Sequence, residues 1–471
     1  MSRGDAEPGP LSPPYRLVSV ALIGIITLIA FEALAVASAM PVVAADLDAL
    51  RSYSLAFSLF FTASLLGMVV AGAVSDVRGA AGPLVVGLVL FAGGLVLCGT
   101  ASTFAQLLAG RVVSGAGGGA LVVTGYVVIA AVYPESMRPR VFGWTSAAWV
   151  IPSVVGPPLA GWLATDVSWR VVFLAVPPAA VVALVLMAPQ LRVLAVDPAP
   201  GGSAARSAVS SAVRRRSVAG LVLAVGAGLV QWVAQHLRDP TGPVVVAGVA
   251  GVVLIALSLP RLLPTGTLRL ARGLPSVIVV RGLFTAAFFG AETYVPLALH
   301  AERGLPLALA GLALTGGALG WALGSYLQSR PAMRLQRATL LSVGGLVVAV
   351  AVAALSVSMI EAVTPWVVVP IWALAGVGMG ISLSSTSVLV LGLSAPGQEG
   401  RNAASLQVSD ALGSVFGVGA GGAIFAAGHT AAGQDHGLFA GIWLGLAAVS
   451  VLAALVGRRV RHDEAQPVPV A

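Results

Sequence analysis

Apolar runs of about 20 residues or more recur along nearly the whole chain, separated by short polar segments. In a helix, twenty apolar residues cover the roughly 30 Å of hydrocarbon in a bilayer. Fourteen such runs are read, at 17–43, 53–75, 82–101, 104–132, 140–164, 169–190, 217–236, 243–262, 275–299, 305–328, 338–358, 365–393, 401–427 and 437–457. Backbone polar groups inside a bilayer must be satisfied within the chain, so the pattern predicts an all-α integral membrane protein with fourteen transmembrane helices. Residues 1–16 hold four prolines and no apolar period, and read as a disordered terminus. Ala35, Ala37 and Ala39 imitate a signal-peptide cleavage site. The run around them is longer than the usual h-region of about 7 to 15 residues, so it reads as a retained membrane span.

Composition agrees with this picture: 58% of the 471 residues are hydrophobic and 9% are charged, against about 25% charged in a soluble domain. That excludes a soluble enzyme and a nucleic-acid-binding module. All 26 basic residues other than histidine are arginine, and their positions matter more than the net charge of +8. With both termini on the same side, twenty arginines fall in loops and tails of that side and four, Arg51, Arg170, Arg238 and Arg303, in loops of the other. The positive-inside rule makes the first side cytoplasmic and supports an even number of helices in a multi-pass plasma-membrane protein. Arg111 and Arg281 lie within spans. Without lysine there is no Walker P-loop and no Schiff-base chemistry, which argues against nucleotide-driven pumping. Cys98 is the single cysteine, and the five histidines are scattered, so no internal disulfide, metal site or other cofactor is expected.

The chain repeats itself. A shift of 261 residues lays Gly115, Gly117 and Gly119 on Gly376, Gly378 and Gly380, and Arg140 on Arg401. Ser153, Val154, Gly156 and Gly161 fall likewise on Ser414, Val415, Gly417 and Gly422. Glu32 is one residue off this shift from Glu292, and Gly72 and Arg78 match Gly324 and Arg330 at a shift of 252. Spans 1–6 therefore recur as spans 9–14 in a parallel duplication. The predicted organisation is a six-helix bundle at 17–190, a cytoplasmic linker at 191–216, an inserted helix pair at 217–262, a second six-helix bundle at 263–457 and a cytoplasmic tail at 458–471. Two such halves rocking about a central site form a transporter architecture.

Motifs fall at matching places. Glu32 precedes Pro41 and Ala45-Asp46-Leu47 by about two turns or more; Gly72, Asp76, Arg78 and Gly79 follow the second span; Arg111, Gly115 and Gly117 lie in the fourth; Gly143, Gly156-Pro157 and Gly161 lie in the fifth; Ser168-Trp169-Arg170 and Phe173 open the sixth. In this order they resemble the major facilitator superfamily, and within it the fourteen-helix drug:proton antiporter branch. Departures are visible: Val77, Ala80 and Ala81 stand where the family's loop motif is basic, and Glu32 where an aspartate is usual. The resemblance implies a coupling role for Arg111 and an inward gate in which Asp76 closes against the thirteenth span.

Glu32 and Glu292 stand roughly 22 to 24 Å along their helices, and Asp410 about 14 Å along its own, with Gln407 one turn earlier. An ionised carboxylate at such depth is costly unless it meets water or a partner, which suits a proton carrier; a structural hydrogen-bonding role is the competing reading. The expected proton-coupling set is Glu32, Glu292, Arg111 and Asp410. Asp76, Arg78, Arg140, Gly156 and Pro157 form the expected gate. Gln407 and the aromatic residues Tyr126, Trp149, Phe288, Tyr294 and Trp321, with Trp372, are candidates for the substrate cavity, although aromatic side chains in membrane helices also serve as packing. Arg281 is expected to snorkel toward the cytoplasmic face. The inserted pair, with Gln231, Gln235 and His236 near its outer turn, is expected at the periphery, away from the cavity.

These readings converge on a monomeric, proton-driven antiporter that exports lipophilic small molecules, cationic or neutral, by alternating access, with protons, substrate and the bilayer as partners and no nucleic acid. A uniporter or symporter for an endogenous metabolite or lipid is the alternative, and a membrane enzyme or sensor a more distant one.

Overall fold

The computed structural model describes residues 9–13, 15–194, 203–236, 241–330, 335–395, 398–429 and 434–460. Most of the polar N-terminal segment, part of the linker and nearly all of the tail lie outside them. Among the described residues the secondary structure is helical, without strands. The helices are α1 Arg16–Asp46, α2 Leu55–Arg78, α3 Ala81–Gly99, α4 Phe104–Val132, α5 Arg138–Ala147, α6 Val150–Trp162, α7 Trp169–Leu174, α8 Val176–Met187 and the short α9 Leu191–Leu194. They continue as α10 Ser203–Ala234, α11 Gly242–Leu262, α12 Leu274–Leu297, α13 Leu307–Ser329, α14 Arg337–Ala354, α15 Val368–Gly392, α16 Glu399–Gly428 and α17 His436–Gly457.

Thirteen helical stretches among the described residues are long and apolar enough to cross a membrane. One of them, Arg140–Gln190, is 51 residues long and takes in two of the fourteen sequence-predicted spans. The expected break near residue 165 is not a loop. A π-helical turn at Leu163–Ser168 carries α6 into α7, and Ser168 caps α7 by accepting a hydrogen bond from the Arg170 backbone N–H. Pro177 and Pro178 then fall in the first turn of α8, where the N–H groups they lack would have no partner within the helix.

One packing scheme occurs twice. In the first half of the chain α4 packs on α2 and α3, α1 on α6 and α8, and α3 on α8; in the second, α15 packs on α13 and α14, α12 on α16 and α17, and α14 on α17. The repeated glycines explain why the sequence matches survive: Gly115 and Gly119 lie against the backbone of α2, and Gly117 against α3. Gly376 and Gly380 lie against α13 in the same way, and Gly378 against α14. A side chain at any of these positions would drive two backbones apart, and close approach is what holds helices together in lipid.

The two sets meet symmetrically through α2 with α16 and α6 with α13, and along α1 with α12. These contacts gather toward the face where α1 ends and α2 begins. There Ser54 lies against Gly422, Tyr53 Oη donates to the Thr293 carbonyl at 3.0 Å, and Gly161 abuts Leu307 and Ala308. Toward the opposite face Tyr126, Trp149 and Tyr326 are exposed.

The α10–α11 pair packs on itself, and α10 also packs on α2 and α16. Gln231 of α10 is buried, donates from Nε2 to Thr62 Oγ1 of α2 at 2.9 Å, and lies beside Gly419 of α16. The expectation that this part of the pair stays at the periphery therefore fails for α10. An amide in hydrocarbon is stabilised by finding a polar partner, and Thr62 supplies it at the seam between the two packing sets. The outward side of α11, with Val246, Val249 and Leu257 exposed, does face away from the bundle.

Candidate functional site

Among the described residues, Glu32, Asp410 and Glu292 lie within the bundle, and the structure treats each differently. Glu32, from α1, accepts a hydrogen bond at Oε1 from Arg111 Nη1 of α4. Arg111 Nε donates to the Ala56 carbonyl of α2 at 2.8 Å, and its guanidinium lies 4.2 Å above the Phe60 ring. One arginine thus ties three helices, and both side chains of the pair are at most 3% exposed. Glu32 Oε2 has no hydrogen-bond partner among the described residues.

In the second packing set Arg281 Nε donates to Asp410 Oδ1. Its Nη1 donates to the Leu383 carbonyl and to Thr386 Oγ1, both at 3.2 Å, so α12 is joined to α15 and α16. Arg281 does not snorkel to the helix end, as the sequence suggested. Asp410, on α16 packed against α12, offers a charge partner inside the bundle, and an ion pair is cheaper there than an extended side chain reaching for water. Asp410 keeps 26% of its side chain exposed and Tyr126, from α4, lies within electrostatic reach of both members of the pair. Gln407 is half-buried one turn before Asp410.

Glu292 of α12 has no cation within salt-bridge distance among the described residues. It approaches the indole of Trp372 of α15 and sits beside a cluster of aromatic rings. Phe288 stacks on Trp372 with centroids 4.6 Å apart and meets Trp321 edge-on at 5.5 Å. Phe289 contacts Trp321 at 6.2 Å and crosses to Phe61 of α2 at 5.9 Å. Phe61 is neighbour to Phe60, the ring beneath Arg111. The cluster therefore runs from the Glu32–Arg111 pair in one packing set to Glu292 in the other. Phe60, Phe61 and Phe289 were not singled out in the sequence, because nothing distinguishes three phenylalanines in apolar runs from lipid-facing ones.

The other candidates separate. Tyr294 is fully buried among Tyr53, Phe425 and Phe439, at the closed face. Tyr126 and Trp149 line a different cavity of about 190 Å³ within the first packing set, with Leu22, Ile26 and Thr145. The Pro157 carbonyl packs against Gly311 of α13, leaving no room there for a side chain, and Gly156 lies beside Phe31. Asp76, Arg78 and Arg140 are exposed. Arg216 of α10 lies within electrostatic reach of Asp76.

A duplicated helical scheme that closes on itself through α2/α16 and α6/α13, with charged pairs held inside it, narrows the families that could own this chain. A family model decides the matter, since residues 20–359 match the Major Facilitator Superfamily. The chain belongs to that superfamily. Its members are membrane transporters rather than enzymes. Among its relatives is an uncharacterized MFS-type transporter of Mycobacterium tuberculosis (strain CDC 1551 / Oshkosh), 27% identical over 88% of this chain and 61% of that protein. The chain thus spans about three fifths of the length of that relative. A probable multidrug-efflux transporter of the same strain is 25% identical over 96% of this chain and 95% of its own. In solved structures, the peptide transporter POT in complex with sulfate superposes with a TM-score of 0.68 over 94% of this chain and 96% of that one, at 12% identity. That likeness shows the fold alone.

Proposed function

We propose that this chain is a proton-coupled antiporter that exports lipophilic small molecules, cationic or neutral, by alternating access. The observation that carries the reading is Glu292, a carboxylate without a fixed cation, set against the aromatic cluster where the two packing sets meet. A carboxylate of this kind can be neutralised by a proton or by a cationic substrate, and not by both at once. That exclusion is the elementary requirement of exchange. Aromatic faces such as Phe288, Trp321 and Phe289 attract a flat organic cation through dispersion and cation–π interaction. Glu32 and Asp410, each held by an arginine, would change the strength of those pairs as the halves move.

In this reading the two packing sets are six-helix bundles that rock about the cluster, and α10–α11 is a pair inserted between them in sequence. Fourteen crossings are supported by the 51-residue stretch Arg140–Gln190. At 1.5 Å per residue it reaches about 76 Å, more than two hydrocarbon thicknesses. In the plasma membrane the arginine distribution favours cytoplasmic termini, with the closed face external and the face of Tyr126 internal. The protein works as a monomer, and the proton gradient is its energy source in place of a cofactor.

The test is transport by the purified protein in vesicles, using tetraphenylphosphonium as the lipophilic cation. Accumulation that follows an imposed pH gradient and stops when the gradient is collapsed supports antiport. Export indifferent to the gradient makes the protein a uniporter instead.

A further inference from the structure

Between α10 and α11 lies a groove of about 770 Å³ that the transport mechanism does not use. The two helices touch at Gly226 and Gly251, where a methyl on either residue would meet the other's carbonyl oxygen at 2.9 Å. From that contact toward the internal face the groove runs between Val222 on one side and Leu254 and Leu257 on the other. Its end is lined by Arg214, Arg215, Arg216 and Arg261.

The chemistry of the two ends differs sharply. Four arginines line one end, and one of them, Arg216, lies within electrostatic reach of Asp76. The walls beyond are aliphatic, and Leu257 is 55% exposed toward the outside of the bundle. A water-soluble anion would satisfy the arginines and leave the aliphatic walls wet. A hydrocarbon chain alone would leave four cations without a counter-charge. An amphiphile with a negative head answers both, and a bilayer supplies such a molecule at that depth.

We propose that this groove binds an anionic phospholipid, its phosphate held by Arg214, Arg215, Arg216 and Arg261 and an acyl chain laid along Val222, Leu254 and Leu257. Guanidinium groups form paired hydrogen bonds with phosphate oxygens, and the charge favours a headgroup with net negative charge over a zwitterionic one. Helix α10 also packs on α2, where Gly220 meets Val69, so the lipid is seated on the helix that lies along the seam. The proposal stands apart from the transport reading, because it concerns what the purified chain retains and not what it carries.

The experiment is native mass spectrometry of the full chain in detergent micelles containing equal amounts of phosphatidylglycerol and phosphatidylcholine. The expected result is retention of phosphatidylglycerol over phosphatidylcholine by about tenfold or more, with each arginine contributing a factor of about five or less. The variant R214Q/R215Q/R216Q/R261Q should show no preference, and Arg215→Gln alone, on an exposed position, a partial loss while its melting temperature in lipid-free micelles stays that of the wild type. Leu257→Trp should lower phosphatidylglycerol retention with all four arginines in place. Added orthophosphate should not displace the lipid. The proposal is overturned if the wild type shows no preference for phosphatidylglycerol or if both arginine variants keep it in full. It is equally overturned if the preference survives Leu257→Trp and is abolished by orthophosphate, since the arginines would then bind a free anion rather than a lipid.

Discussion

Arg111 of α4 bonds Glu32 of α1 with one nitrogen and the Ala56 carbonyl of α2 with another, so a single side chain fastens three helices at one point. Removing one member of a buried pair strands the other, at a cost of about 3–5 kcal/mol. Glu32→Gln is therefore expected to lower the melting temperature as well as to end gradient-driven export, and Glu32→Gln/Arg111→Gln to recover part of the lost stability without recovering coupling. Arg111→Lys should behave like a loss of function, because an ammonium group cannot hold the carboxylate and the carbonyl while stacking on Phe60. Thermal melting and vesicle transport on the same preparations check both statements; a Glu32→Gln variant with wild-type proton-driven export would remove Glu32 from the mechanism.

Glu292 has no such partner among the described residues, and its replacement should leave the fold intact. Glu292→Gln is expected to keep the wild-type melting temperature, to lose uphill export of a lipophilic cation and to retain downhill exchange of a neutral substrate. The split between cation and neutral substrate is the decisive reading, and equal losses for both would make Glu292 structural.

Ser54, immediately before α2, rests on Gly422 of α16 at the closed face, so a larger side chain at 422 cannot coexist with this closure. Gly422→Val is expected to move the population toward a state open on that face. Spin-label distances between the first turn of α2 and the last turn of α16 should lengthen in that variant. Unchanged distances would show that the contact does not control closure.

Gln231 tests the seam. Loss of its hydrogen bond to Thr62 in Gln231→Leu removes an interaction worth about 0.6 kcal/mol on average between membrane helices. That is a population shift of roughly threefold in whichever state keeps the bond. Turnover should change by about this factor, far less than in Glu32→Gln, and Thr62→Val should reproduce the change. A Gln231→Leu defect as deep as that of Glu32→Gln would place the residue in the substrate path.

Hydropathy alone determined the membrane class and nearly every crossing, because the bilayer sets one length for any span and the backbone must close its hydrogen bonds within it. The glycine repeat was equally visible in the sequence. Close backbone contact tolerates only the smallest residue, so Gly115, Gly117 and Gly119 reappear as Gly376, Gly378 and Gly380 against equivalent helices. The order of the motifs sufficed to indicate the superfamily. Only the tertiary structure decided which side chains meet: Arg281 with Asp410 rather than with the helix end, Gln231 with Thr62 rather than with headgroups, and Phe289 with Phe61 across the two halves. In a soluble helix the apolar stripe shows which side is packed. Here lipid outside and protein inside are both apolar, so no stripe marks the buried side, and partners far apart in the chain become known only when the helices are assembled.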